Sequence, residues 1–286
     1  MRRLLFIAAP LLGAASQSLT SNDHHAEGPL RRPANSILVW SDEFSGRKID
    51  RSKWVFDRSR NKAGWYNGEL QYYAEGPRNA RVTAGKLVIE ARREQAAQMP
   101  DWGGQNYTSA KIMTKGLASW TYGFFEVRAK LPCARGTWPA IWMLPDKGSW
   151  PDGGEIDIME QVGSDPNVVH ATLHTALFTH SKGTQRGATK RLATSCNRFH
   201  RYQLDWRPDS ITIGVDDQAY MRVRNDRPGG RGAWPFDAPF HMILNLAIGG
   251  SWAGAKGIDD AAMPQRMEID YVRVWQASED QDRTKS

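Results

Sequence analysis

From Ser36 onward the chain falls into short apolar or alternating runs. They are SILVWSDEF, ARVTAGKLVIEAR, GFFEVRAKL, EIDIMEQV, VVHATLHTA, RYQLDW, SITIGVD, YMRVR, FHMILNLAI and MEIDYVRVWQ. Each is rich in Val, Ile, Thr or aromatic residues and is bounded by Gly, Pro, Asn or Asp, which is the pattern of strands joined by turns. No long segment keeps an apolar stripe at i, i+3, i+4 and i+7, so amphipathic helices are not expected. The pattern predicts an all-β sandwich or barrel. No repeat or linker interrupts Ile37 to Gln276, which predicts a single domain over 36–276.

The flanks differ from this body. Residues 17–35, QSLTSNDHHAEGPLRRPAN, are polar with Pro and Gly and read as a flexible leader; residues 277–286, ASEDQDRTKS, read as a disordered charged tail. The start, MRRLLFIAAPLLGAASQS, has two arginines, an apolar run and then small residues, which is the order of a secretory signal peptide over about residues 1–16. An apolar run of about 12 residues is too short to span a bilayer, and no other stretch is long and apolar enough. A secreted or periplasmic protein with no membrane association after cleavage is expected.

The formal charge of +7 falls to +5 without those 16 residues, 36 basic against 31 acidic. The excess is spread out, and no basic run interleaves with aromatics, so nucleic acid is not an expected partner. Cys133 and Cys196 are the two cysteines; in an exported chain they would form one disulfide or remain two buried thiols. The NYT at Asn106 is a glycosylation sequon only where the host performs that chemistry.

Composition changes the picture more at tryptophan. The chain has 12 Trp with 26 Gly and 15 Pro. GWYNGELQYYAEGP and GTWPAIWMLPDKGSWPDGG carry Trp65, Tyr66, Tyr72, Tyr73, Trp138, Trp142 and Trp150, and both read as loops between strands. Some tryptophans, such as Trp206, are expected in the core. Aromatic rings on surface loops beside carboxylates suit the apolar faces of sugar rings, so carbohydrate is the expected ligand class.

Those carboxylates lie in GGEIDIMEQ. On a regular strand Glu155 and Asp157 share a face and Glu160 has the wrong parity. A β-bulge at Ile158–Met159 would absorb one residue and bring Glu160 to the same face. Strand residues four apart have Cα atoms about 13 Å apart. Two Glu side chains leaning together would close about 7–8 Å of that, near the 5–5.5 Å of a retaining glycosidase rather than the 6.5–9.5 Å of an inverting one. Asp157 between them would make the titration collective. The alternative, a charged outer strand face, is weakened by Trp- and Gly-rich flanks. His170 and His174 have an H-x₃-H spacing, but on a strand they stand about 13 Å apart and cannot share a zinc.

GEIDIMEQVG resembles the active-site strand of glycoside hydrolase family 16, in the branch with bulged E-x-D-x-x-E spacing that includes laminarinases. WSDEF, NGELQYY, NARVTAGKLVIEA, YGFFEVRAKLP, GTWPAIWMLP, HATLHT, FHMILNLAIGGSWAG and GIDDAAMPQRMEIDYVRVW resemble that branch in the same order and span most of 38–275. The resemblance implies a β-jelly-roll sandwich of two curved antiparallel sheets with a cleft on the concave face. It also implies retaining hydrolysis of β-1,3 bonds in laminarin-type or mixed-linkage β-1,3-1,4-glucans by a monomer. By position, Glu155 matches the nucleophile, Glu160 the general acid/base and Asp157 the assisting carboxylate. His174 matches a cleft histidine near the acid/base, and Trp138, Trp142, Trp150, Trp252 and Asn67 match positions lining the cleft. No cofactor is implied for catalysis. One structural Ca²⁺ is implied on the convex side, at Asp270 with backbone carbonyls near Glu43 and Gly85. Ala253 departs from the proline usual in GGSWAG. Two other readings keep the fold: a glucan-binding lectin, in which the catalytic acids would be lost, and the same chemistry on agar- or carrageenan-type galactans.

Overall fold

A computed structural model describes residues 24–225 and 229–277. In chain order the strands are β1 (Ile37–Asp42), β2 (Val55–Phe56), β3 (Gln71–Tyr73), β4 (Ala80–Thr83), β5 (Lys86–Ala91) and β6 (Tyr107–Ser109). There follow β7 (Lys111–Met113), β8 (Gly123–Lys130), β9 (Thr137–Pro145), β10 (Glu155–Glu160), β11 (Val168–His174) and β12 (Arg186–Arg191). The last are β13 (His200–Trp206), β14 (Ser210–Val215), β15 (Gln218–Arg224), β16 (Phe240–Ile248) and β17 (Gln265–Gln276). The one α-helix among the described residues, α1, is the short turn Gly250–Ala253.

Two antiparallel sheets form a jelly-roll sandwich. One runs β12-β11-β10-β9-β16-β7-β2; the other runs β15-β14-β13-β8-β17-β5-β4, with β1 also pairing β17. Alternation decides which side chains meet between them. From the first sheet come Phe240, Met242, Leu244, Leu246 and Ile248 of β16, Ile141 and Met143 of β9, and Val169, Ala171 and Leu173 of β11. From the second come Phe125, Val127 and Ala129 of β8 and Val272 and Val274 of β17. Burying each large side chain of this kind stabilises the fold by about 1.5–3 kcal/mol. The other face of the seven-stranded sheet is therefore free for polar chemistry, and β10 lies near its middle.

Nearly every expected strand is present, but two segments differ from the sequence reading. GTWPAIWMLP, read as loop, is the long strand β9 beside β10. Pro139 and Pro145 hide it, because proline argues against a central strand. QYY of the other aromatic segment is β3, paired in parallel with β6. Much of the tryptophan is core: Trp54, Trp206, Trp120, Trp234 and Trp65 are all buried. Tyr72 and Tyr73 are also buried, so of that segment's rings only Tyr66 is exposed.

The expected flexible leader is corrected over its described part. Residues 25–30 lie along the edge strand β15, with Ala26 N–H on Tyr220 O at 3.1 Å and Leu30 N–H on Asp217 O at 2.8 Å. Leu30 is buried against Phe124 and Ala219. The packing covers an edge that would otherwise present unpaired backbone groups. The expected signal peptide and the tail beyond Ala277 lie outside the described residues.

Cys133 and Cys196 are joined in a disulfide that ties the loop after β8 to the loop before β13. Gln161, fully buried and next in chain to Glu160, sits between these loops. Its amide donates to Pro132 O at 3.2 Å and Cys133 Sγ at 3.1 Å, and its oxygen accepts from Ser195 Oγ at 2.7 Å. Gly163 is held equally closely: a Cβ there would stand 1.8 Å from Ala134 O, so no larger residue fits.

Candidate active site

The register of β10 answers the parity conflict. Against β11, Glu155 pairs with His174, Asp157 with Thr172 and Glu160 with His170, so β10 uses one more residue than its partner between Asp157 and Glu160. Against β9, Asp157 pairs with Trp142 and Met159 with Ile141, which places the extra residue at Ile158–Met159. Residues 170, 172 and 174 of the regular strand β11 share one face, and paired residues point the same way. Glu155, Asp157 and Glu160 therefore share that face. Ile158 and Met159 are consecutive, yet both are fully buried in the core. The bulge lets two adjacent apolar residues turn inward and reverses the parity beyond them.

The same reasoning fills the face from both sides. β9 contributes Trp138, Ala140 and Trp142, and β16 contributes Ile243, Asn245 and Ala247. Trp138 Nε1 donates to Glu160 Oε1 at 2.9 Å, and Trp150 Nε1 donates to Glu155 Oε2. Trp252, on α1, packs edge-on to Trp138 and to His170, with ring centroids 5.2 and 4.8 Å apart. Trp142 Nε1 donates to Asn245 Oδ1 at 2.7 Å. Lys111 Nζ lies 4.8 Å from the Trp65 ring and 5.1 Å from the Trp142 ring and pairs with Asp57 at 3.0 Å. Asn67 occupies a left-handed turn at φ 58° beside Glu69.

All three acids of β10 hold protons more tightly than ordinary carboxylates. Burial is the main cause for each. Glu160 is pushed up to about 7 by burial and then by the Glu155 charge, against the Trp138 hydrogen bond. Asp157 is raised far above its ordinary value by burial and by Glu155 and Glu160. Glu155 is raised by burial, while hydrogen bonds from Trp150 and Asp157 and the Lys111 charge oppose the rise. Burial and the two glutamate charges thus favour the proton on Asp157, while the neighbours of Glu155 favour its charge. One acid kept neutral and one kept ionised within a single face is the arrangement that proton donation and nucleophilic attack at an acetal require.

His174 is not beside Glu160. It pairs with Glu155, and its Nε2 is 3.5 Å from Asp157 Oδ2. Burial, followed by the charge of His180, pushes it down to about 4, so it is neutral near pH 7. The histidine opposite Glu160 is His170, because the antiparallel run of β11 meets β10 in reverse order. Trp150 is exposed and lies beside His174 and His180, at 6.2 and 5.5 Å between centroids, with the two histidine rings 5.1 Å apart.

The implied calcium residues are placed otherwise engaged. Asp270 accepts from Arg128 Nη1 at 2.5 Å, and Glu43 is paired with Arg273 at 2.8 Å. Gly85 forms a turn at φ 69° between β4 and β5. Among the described residues no group of three or more His, Cys, Asp or Glu is gathered to hold a metal. Of these side chains only the Asp270 carboxylate belongs to the implied site, whose other ligands are backbone carbonyls, and no step is derived through a cation.

Sequence reasoning missed Glu69, Asn245, Lys111 and His180. Asn245 was detectable as a lone polar residue inside the apolar run FHMILNLAI, since buried polar groups need partners. Lys111 and His180 carried no local signal.

Comparison with known proteins agrees with this architecture. The family model "Glycosyl hydrolases family 16" matches residues 67–273. A "Beta-glucanase" of Rhodothermus marinus is 48% identical over 286 residues, 96% of this chain and 94% of that protein. The crystal structure of SCLam, described as a non-specific endo-beta-1,3(4)-glucanase of family GH16, superposes with a TM-score of 0.87 at 52% identity, covering 89% of this chain and 96% of that one. The laminarinase of Rhodothermus marinus superposes at 0.79 with 50% identity, covering 84% and 97%. The chain belongs to glycosyl hydrolase family 16.

Proposed function

We propose that this family 16 glycosyl hydrolase is a retaining endo-β-1,3-glucanase that cuts laminarin-type glucans by double displacement. The observation that carries the reading is the bulge at Ile158–Met159, which gives Glu160 the face of Glu155 while burial keeps a proton on it. Ionised Glu155 attacks the anomeric carbon as Glu160 passes its proton to the glycosidic oxygen. The C1–O bond breaks and a glycosyl ester forms on Glu155. Glu160, now a carboxylate, takes a proton from the water that attacks C1, and Glu155 leaves as a carboxylate. Two inversions return the β configuration. Asp157 steadies Glu155 by hydrogen bonding, and Trp138, Trp142, Trp150 and Trp252 offer ring faces to the sugars.

Mixed-linkage glucan is a second substrate on this reading, supported by the likeness to the non-specific endo-beta-1,3(4)-glucanase. The reading includes export, consistent with the leader sequence and with the Cys133–Cys196 disulfide. Among the described residues no helix is long and apolar enough to cross a membrane.

The test is reducing-sugar release from laminarin, lichenan, agarose and carrageenan, with the first-formed anomer read by NMR. Oligosaccharides of initial β configuration from laminarin are expected. Binding without release would make the protein a glucan-binding module, and cleavage of the galactans alone would move the substrate class.

A further inference from the structure

Glu69 is a fourth carboxylate of this face, and nothing in the double displacement uses it. It lies at the end of the turn Tyr66–Gly68 and bridges to Gly249 at the end of β16. Hydrogen-bond donors converge on it. Gln71 Nε2 donates to Glu69 Oε2 at 2.8 Å, and Gln71 cannot flip, because its Oε1 accepts the Ile248 N–H at 2.8 Å. A second chain starts in the cleft floor. Trp142 donates to Asn245 Oδ1, and Asn245 Nδ2 donates to Tyr73 Oη at 3.0 Å, which leaves the Tyr73 proton for Glu69. An arrangement in which neighbours donate is matched by an acceptor-only, ionised carboxylate.

Glu69 and Glu160 flank the same indole. A Cβ built on Gly250 would lie 3.5 Å from both Glu69 Cγ and Trp138 Cζ3, and Trp138 donates to Glu160. We propose that Glu69 is a positioning residue, an anion fixed beside Trp138 that keeps Glu160 in its proton-bearing form. The inference rests on the reading of Glu160 as proton donor.

Other groups facing the pair are Glu155 and Asp157 on β10, His170 on β11 and Tyr220 on β15. Lys111 on β7 and Tyr73 on β3, with Asp57 beyond them, face Glu69. The Glu69 charge raises the proton affinity of Glu160 after burial and Glu155 have done so, and burial raises Glu69 itself against the pull of its donors and Lys111. Its effect differs from that of Glu155 in timing. The Glu155 charge disappears when the glycosyl ester forms, whereas the Glu69 charge persists and strengthens Glu160 as the base that activates water.

The experiment compares kcat/KM on laminarin against pH for the wild type, Glu69→Gln and Glu69→Asp. Loss of the charge should move the alkaline limb of Glu69→Gln down by about half to one pH unit, while Glu69→Asp keeps the wild-type limb. Above the limb Glu69→Gln should then be about three- to tenfold slower, with unchanged rate on the acid side of it and an unchanged unfolding midpoint. A coincident limb, or an equal shift in both variants, overturns the proposal. Carboxyl ¹³C NMR titration of Glu160 reads the same shift without turnover. A wild type inactive on laminarin would therefore sink the reaction assigned here and leave the role of Glu69 to be decided by that titration.

Discussion

Glu160 and His170 stand opposite each other across β10 and β11 because Ile158 and Met159 together fill a span that the partner strand crosses with one residue fewer. The acid is on the site face because the strand miscounts by one. Deleting Met159 would restore plain alternation and keep the glutamate with Glu155 and Asp157. Deleting Ile158 as well would turn it away. The single deletion should retain measurable laminarin hydrolysis at a cost of about 2–5 kcal/mol in chemical unfolding, from the lost core side chain. The double deletion should be inactive. A folded Met159 deletion as inactive as the double deletion would refute the parity argument.

Glu155→Ala should lose nearly all turnover and remain folded. Added azide should restore part of it and yield the α-glycosyl azide, because an external anion then attacks once. A β-azide, or no rescue in a folded variant, would remove Glu155 from the nucleophile's role.

Glu160→Ala should lose far more on laminarin than on aryl glucosides whose leaving group needs no proton. Equal losses on the two substrates would show that Glu160 does not donate.

The pH profile of kcat/KM should be bell-shaped. Activity needs protonated Glu160, so it falls as pH rises through about 7, where burial and the Glu155 charge hold that acid. It also needs ionised Glu155, whose proton affinity burial raises, so the acid limb should lie above an ordinary glutamate's. His174 is pushed down to about 4 by burial and His180, so His174→Asn should leave the alkaline limb in place.

Trp150→Phe removes the N–H that donates to Glu155 and opposes the effect of burial there. The acid limb should move to higher pH, with kcat/KM on that side falling on the order of tenfold, the worth of one hydrogen bond to a charged group. An unmoved limb would mean that the Trp150 contact is not made in solution.

The sequence revealed the β class and most strands, because period-2 alternation reports directly on faces. It also revealed the bulge, because Glu160 conflicted with that period. Proline concealed β9, although two of the cleft tryptophans ride on it. The pairing of His174 with Glu155 rather than Glu160 depends on strand direction and register, which local pattern does not contain. Glu69 was in view within NGELQYY, as were Gln71 and Tyr73, but the groups that orient those two, Ile248 and Asn245, arrive from β16. A donor chain assembled across Tyr73, Asn245 and Trp142 exists only in the folded chain.

The Cys133–Cys196 bond closes around the residue that follows Glu160: Gln161 is held by Pro132 and Cys133 on one side and by Ser195 on the other. The far end of the strand that carries Glu160 is thus moored to a covalent link of the kind that persists in oxidising compartments.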